Sequence, residues 1–215
     1  MLNKIKGNQK VHLTTYTNSD SVISDQFRKI RTNIKFLTNN MQNKVYLLTS
    51  TRQKEGKSTV ISNLTVSIVQ QQSKVLLIDA NLREPLVHDI FKISNDKGLT
   101  NVLKGYTTLE QAISHTDIQA LDILTAGIPV TNPTELLGSE GMKELLLSAA
   151  SMYDMVLIDS PSVLESTDTR VLANQCAGVV LVINRGKTVV DDVIETKKVL
   201  ELANANLMGV IFNEK

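Results

Sequence analysis

Six short aliphatic runs constrain this chain more than any other feature: residues 45–49, 75–78, 121–124, 155–158, 179–183 and 208–212. Most are apolar at successive rather than alternating positions, the pattern of strands covered on both faces. Stretches with helical spacing lie between them. One runs through Val60, Ile61, Leu64 and Ile68; another through Leu136, Leu137, Met142, Leu145 and Leu146; a third through Val189, Val193, Val199, Leu200 and Leu202. Strand alternating with helix demands right-handed crossovers between parallel strands. The expected fold is α/β, a doubly wound, mostly parallel sheet flanked by helices.

The first forty residues depart from this pattern. Residues 1–20 are polar, with Asn, Ser and Thr, and read as a flexible start; 21–38 read as an added N-terminal helix, apolar-periodic from about Val22 to Leu37. No Gly/Ser linker, repeat or low-complexity block interrupts the rest, so residues 1–215 read as a single domain.

Composition narrows the function classes. With 42% hydrophobic and 21% charged residues the chain is that of a packed globule. A net charge of +1 provides no broad basic field for nucleic acid or anionic lipid, and four Phe, four Tyr and no Trp leave few rings for stacking bases. A lone cysteine, Cys176, excludes an internal disulfide and fits a cytoplasmic chain. The N-terminus lacks the apolar core of a signal peptide, and every apolar run is strand-sized, so no direct membrane insertion is expected. His12, His88 and His115 are too dispersed for a metal site.

Directly after the first run comes Thr49-Ser-Thr-Arg-Gln-Lys-Glu-Gly-Lys-Ser-Thr59. Gly56-Lys57-Ser58 completes a phosphate loop: backbone N–H groups and a helix N-terminus surround phosphates, Lys57 offers a point charge to the β/γ oxygens, and the Ser58 hydroxyl ligates Mg²⁺. The usual first glycine of that motif is Thr51 here. The runs 75–78 and 155–158 each end in a carboxylate, Asp79 and Asp159. Ligands of open α/β sheets sit outside the carboxyl ends of strands, so both acids are expected to converge on the phosphate loop. Phosphoryl transfer needs such a set: a phosphate cradle, a metal site and a carboxylate toward the nucleophile.

Five segments together carry a family resemblance: Lys54-Glu-Gly-Lys-Ser-Thr59, Leu77-Ile-Asp-Ala-Asn-Leu-Arg-Glu-Pro85, Ile158-Asp-Ser-Pro161, Asn132-Pro-Thr-Glu-Leu-Leu137 and Gln26-Phe-Arg-Lys-Ile-Arg-Thr-Asn33. The first three resemble the Walker A, A′ and B elements of bacterial tyrosine kinases (BY-kinases) of the capsular or exopolysaccharide type. These are P-loop NTPase-like proteins related to the partitioning and cell-division ATPases, and the last two segments separate the kinases from those relatives. The resemblance implies a protein-tyrosine autokinase that uses ATP, yields ADP and requires Mg²⁺. It implies Lys57, Asp79 and Asp159 as catalytic residues, with Asp79 as base toward the tyrosine. Ser58, Asp79 and Asp159 would hold the metal, and Lys54, Glu55, Gly56, Lys57, Ser58, Thr59, Asn81 and Arg83 would surround the nucleotide. Asp25, Arg28 and Arg31 stand where the family has Glu-x-x-Arg-x-x-Arg, which implies a subunit contact in a ring-like homo-oligomer. Further implied partners are the cytosolic tail of a membrane adaptor, which would recruit the chain to the inner face of the plasma membrane, and protein tyrosine substrates.

Three departures qualify the transfer. Gln53 and Lys54 replace the family's usual Pro and Gly, and Lys54 fits only if its φ stays negative. Asn81 replaces the second Asp of Walker A′. The family typically continues into a tyrosine-rich tail, whereas the four tyrosines here, Tyr16, Tyr46, Tyr106 and Tyr153, are scattered, with Tyr46 and Tyr153 reading as packing residues. Two alternatives follow: a partitioning-type ATPase switch, and a nucleotide-binding pseudokinase or scaffold.

Overall fold

The computed structural model describes residues 13–38 and 41–214. Two helices, α1 (Thr14–Thr17) and α2 (Val22–Thr38), precede β1 (Val45–Ser50), which runs through the phosphate loop into α3 (Lys57–Val69) and β2 (Val75–Asp79). Three short helices follow, α4 (Val87–Phe91), α5 (Leu99–Leu103) and α6 (Leu109–Ala112), then β3 (Ser114–His115) and β4 (Leu121–Leu124). The remainder is α7 (Pro133–Leu137), α8 (Glu140–Met152), β5 (Met155–Asp159), α9 (Asp168–Ala173), β6 (Gly178–Asn184), α10 (Val190–Leu202) and β7 (Leu207–Asn213).

The seven strands form one sheet in the order β3-β4-β2-β5-β1-β6-β7. Only the two-residue β3 runs antiparallel, against β4. Strands β1, β2, β4 and β6 are buried along their whole length, as unbroken aliphatic runs require. The apolar side chains divide into two clusters. Leu47, Leu76, Ile78, Val156 and Ile158 meet α8 and α9, while Tyr46, Leu48, Leu77, Leu157 and Val182 meet α3. The expected doubly wound sheet is therefore present.

Helix α3 is buried nearly all round because α1 and α2 cover its outer side. Its polar residues survive burial by bonding back one turn. Ser62 donates to the Ser58 carbonyl at 2.7 Å, Thr65 to Ile61 at 2.7 Å, and the Asn63 amide to Thr59 at 3.0 Å. Helix α2 starts where Ser21 accepts the backbone N–H of Ser24 at 3.1 Å, the reach of an N-terminal cap.

Two expectations are corrected. Residues 13–20 are not a loose start. Thr15 is buried and its N–H and hydroxyl both reach the Asn63 side-chain oxygen at 3.1 Å, which fastens α1 to α3; residues 1–12 lie outside the described residues. The helical stretch through Leu136 to Leu146 breaks between α7 and α8. There Ser139 caps the new helix by accepting the N–H of Met142 at 3.3 Å, a local alternative that periodicity does not reveal.

Candidate active site

Strand β1 ends in the phosphate loop at the middle of the sheet, with β5 on one side and β6 on the other. Gly56 adopts φ +87°, and a Cβ there would stand 2.3 Å from the Asn213 amide nitrogen, so glycine is required twice over. That amide donates to the Glu55 carbonyl at 2.9 Å and ties the loop to the end of β7. The buried Glu55 carboxylate organises the loop from within. The Thr51 hydroxyl lies 2.7 and 2.9 Å from its two oxygens, the Arg52 N–H donates at 3.1 Å, and the Thr188 hydroxyl donates from the segment after β6. Thr51 thus replaces the motif's first glycine with a hydroxyl that holds Glu55. The loop tip is fixed by the Gln53 N–H donating to Glu165 at 3.0 Å and by an Arg52–Asp192 ion pair at 2.5 and 2.8 Å.

Lys54 adopts φ +63°, against the negative value expected from its side chain. The anchors on Glu55 and Gln53 force the backbone there into the left-handed region. Lys54→Gly should remove about 1–2 kcal/mol of left-handed cost against about 0.4–1 kcal/mol of added chain entropy. The expected outcome is a midpoint of thermal unfolding raised by about 1–4 °C; a lowered midpoint would show that the Lys54 side chain contributes more than its backbone costs.

Asp79 and Asp159 end adjacent strands and stand directly opposite each other in register. Both are fully buried. Three backbone donors hold Asp79: Asn81 at 3.1 Å, Leu86 at 3.1 Å and Val87 at 3.0 Å. Burial, then the neighbouring Asp159 charge, push the Asp79 carboxyl up to about 7 despite those bonds. Among the described residues neither oxygen of Asp159 has a hydrogen bond of good geometry, the Ser58 hydroxyl being its nearby donor, although buried polar groups almost always find one. Burial raises the Asp159 pKa as well, with the Lys57 charge and the Ser58 hydroxyl acting against it. A buried carboxylate without such a bond, beside a serine hydroxyl, fits a hard divalent cation with oxygen ligands.

Raised carboxylate pKa values make stability depend on pH with a defined sign. Between about pH 4 and pH 7 the folded chain keeps protons that the unfolded chain releases, so the contribution of this pair falls as pH rises. In metal-free buffer, the drop in unfolding midpoint from pH 5 to pH 8 should be smaller in Asp159→Asn than in the wild type. Equal drops would remove the pair as its source.

Asn81 is also buried, and its amide donates to the Glu84 carbonyl at 2.7 Å, a bond that Asp could not make. The Asn in place of the second Asp therefore closes the turn that delivers Leu86 and Val87 to Asp79. Lys57 and Asn81 line a cleft of about 260 Å³ together with Lys54, Ser58, Thr59 and Glu84.

A family model described as an AAA domain matches residues 43–204. The tyrosine-protein kinase YwqD of Bacillus subtilis is 44% identical over 199 residues, covering 93% of this chain and 84% of that protein. The putative tyrosine-protein kinase CapB of Staphylococcus aureus is 34% identical over 194 residues, covering 90% of this chain and 85% of that protein. The chain belongs to the bacterial tyrosine-kinase family. The kinase domain of Escherichia coli tyrosine kinase ETK has the same fold, with a TM-score of 0.92, 30% identity, and coverage of 100% of this chain and 84% of that one.

In this bacterial tyrosine-kinase family member, the segment Asn132 to Leu137 is wired to the A′ turn. Asp168, at the start of α9, has a fully buried side chain. It accepts Arg83 through Nε at 2.8 Å and a second nitrogen at 3.2 Å, and accepts the Thr134 hydroxyl of α7. Its own N–H donates to Ser166 at 3.1 Å. Sequence reasoning missed Asp168 because an acid in the first turn of a helix reads as a dipole partner. It missed Thr188 and Glu165 too, for neither carries a local motif. The α2 residues divide: Asp25 and Arg28 form an exposed pair at 2.5 Å, while Arg31 donates to the Ser67 carbonyl of α3 at 2.5 Å.

Proposed function

We propose that this chain is an Mg-ATP-dependent protein-tyrosine kinase that regulates capsular or exopolysaccharide production. The observation that carries this reading is the opposed, buried pair Asp79 and Asp159 beside the phosphate loop, with Asp159 making no hydrogen bond of good geometry among the described residues. A carboxylate so placed supports a divalent-cation site formed with Ser58 and Asp79. When bound, Mg²⁺ neutralises charge on the β/γ phosphate oxygens. Lys57 supplies a fixed positive charge to the same oxygens, and the loop N–H groups following Lys54 and Glu55 cradle the phosphates. A hollow of about 750 Å³ lined by Thr59, Phe212 and Asn213 adjoins the loop and has room for a nucleoside.

Asp79 accepts the proton of the incoming tyrosine. A phenol has a reference pKa near 10, so it needs an acceptor such as the Asp79 carboxylate to take its proton as the bond to phosphorus forms. The three backbone donors hold that carboxylate in one orientation, so little reorganisation accompanies the transfer.

No helix among the described residues is long and apolar enough to cross a membrane. We place the chain in the cytoplasm, activated by the cytosolic tail of a membrane adaptor. Self-association is assigned to α2, where Val22 and Ile23 are exposed and the Asp25–Arg28 pair lies at the surface, while Arg31 is committed to α3. Light scattering with Mg-ATP tests this, and a persistent monomer would remove the assignment. For the activity itself, Mg-ATP, the adaptor tail and a tyrosine-bearing acceptor should yield phosphotyrosine. Hydrolysis without phosphotyrosine would favour a partitioning-type switch, and nucleotide binding without either product a pseudokinase.

A further inference from the structure

The four tyrosines occupy sharply different surroundings. Tyr46 and Tyr153 are each 3% exposed, and their hydroxyls are committed, Tyr46 donating to the Asn43 carbonyl at 3.2 Å and Tyr153 to Asp122 at 2.8 Å. Burial raises both pKa values, so neither presents a reachable nucleophile. Tyr16 is exposed but lies on α1, whose backbone is fastened to α3 through Thr15 and through the Gln70 amide at 3.2 Å. Tyr16 lines a hollow with Ile90, Phe91 and Ile118 against the body of the protein and does not stand on a turn.

Tyr106 differs from all three. It is 68% exposed in the turn between α5 and α6, and its hydroxyl makes no hydrogen bond among the described residues. Gly105 before it has φ +74° with open space where a side chain would stand, which lets the turn stand clear of the surface. Both flanks are fixed. The Thr108 hydroxyl caps α6 by accepting the Gln111 N–H at 3.4 Å, and Asn101 closes the start of α5 by accepting the Gly98 N–H at 3.1 Å. A short projecting segment on two anchored helices loses little order when it docks into a cleft. The Lys104 ammonium lies 6.0 Å from the ring centroid, placed to pair with a phosphate on the hydroxyl.

We propose that Tyr106 is a phosphorylation site of this protein, modified by a second copy of the chain. This rests on the kinase reading above. Tyr106 lines neither the cleft beside Lys57 nor the adjoining hollow, so the acceptor and the active site belong to different molecules. In the step, the Tyr106 phenolic oxygen bonds to the γ-phosphorus of ATP. The bond from that phosphorus to the β-bridging oxygen breaks, ADP leaves with the electron pair, and the phenolic proton passes to Asp79 of the acting copy. The product turn carries a dianion beside Lys104, so an exposed tip with one positive charge becomes net negative.

The test mixes wild-type chain with a Lys57→Met chain as acceptor, in Mg-ATP with the adaptor tail, and maps phosphotyrosine on each by mass spectrometry. A random Glu/Tyr copolymer serves as a separate acceptor. The expected result is label on Tyr106 of the Lys57→Met chain, and loss of that label in Tyr106→Phe with copolymer labelling unchanged. Copolymer labelling with Tyr106 unmodified overturns the proposal and leaves the kinase reading standing. Absence of label on both overturns the two together.

Discussion

Replacing Lys57 by Met yields a chain that folds normally and transfers phosphate at least about a hundred- to a thousandfold more slowly, the usual cost of one aimed electrostatic group in a preorganised site. Lys57 opens α3, is only partly buried and lines the cleft of the phosphate loop. Met matches its length and helix preference, so packing is retained. The charge that acts on the buried Asp159 and on phosphate oxygens disappears. Phosphotyrosine formation, compared with far-UV circular dichroism of the same sample, measures this directly. Undiminished transfer in a folded Lys57→Met chain would falsify the kinase assignment.

The second large effect falls on Asp168. Asp168→Ala removes a fully buried carboxylate that holds Arg83 with two bonds and the Thr134 hydroxyl with a third. Arg83 is half exposed, which weakens the pair relative to one buried on both sides. Bonds to charged groups are worth about 1.5–3 kcal/mol, so the expected loss is about 2–3 kcal/mol, or about 4–12 °C in unfolding midpoint. The same change frees the A′ turn from α7, and phosphotransfer should fall as Arg83 and Asn81 lose their fixed positions. A double-mutant cycle with Arg83→Ala isolates the pair. Additive losses would show that the Asp168 carboxylate acts through Thr134 alone.

The two cases expose different depths of legibility. Lys57 was readable because phosphate binding imposes a local pattern, a strand followed by Gly-Lys-Ser and a helix, and that pattern survives in the sequence. Asp168 was not readable because its partners are 85 residues away at Arg83 and 34 away at Thr134. Lys54 illustrates a third case. Local sterics favour a negative φ, but the tertiary anchors on Glu55 and Gln53 overrule that preference. Asn81 looked like a lost charge, and its amide proved to supply a donor that the turn uses.

The sequence by itself determined the sheet class, the strand positions, the phosphate loop and the two acidic strand ends. Each of these follows from short-range rules: burial on both faces writes unbroken aliphatic runs, and a phosphate cradle demands particular residues in a row. Only the tertiary structure decided how those parts are held. It set Asp79 and Asp159 opposite each other and drove their pKa values upward by removing water. It left Asp159 without a hydrogen bond of good geometry among the described residues and locked Glu55 beneath the loop. It also sorted the tyrosines, burying Tyr46 and Tyr153, fastening the helix of Tyr16, and leaving Tyr106 on an open turn. Burial and hydrogen-bond partnership depend on residues distant in the chain, and no local spacing encodes them.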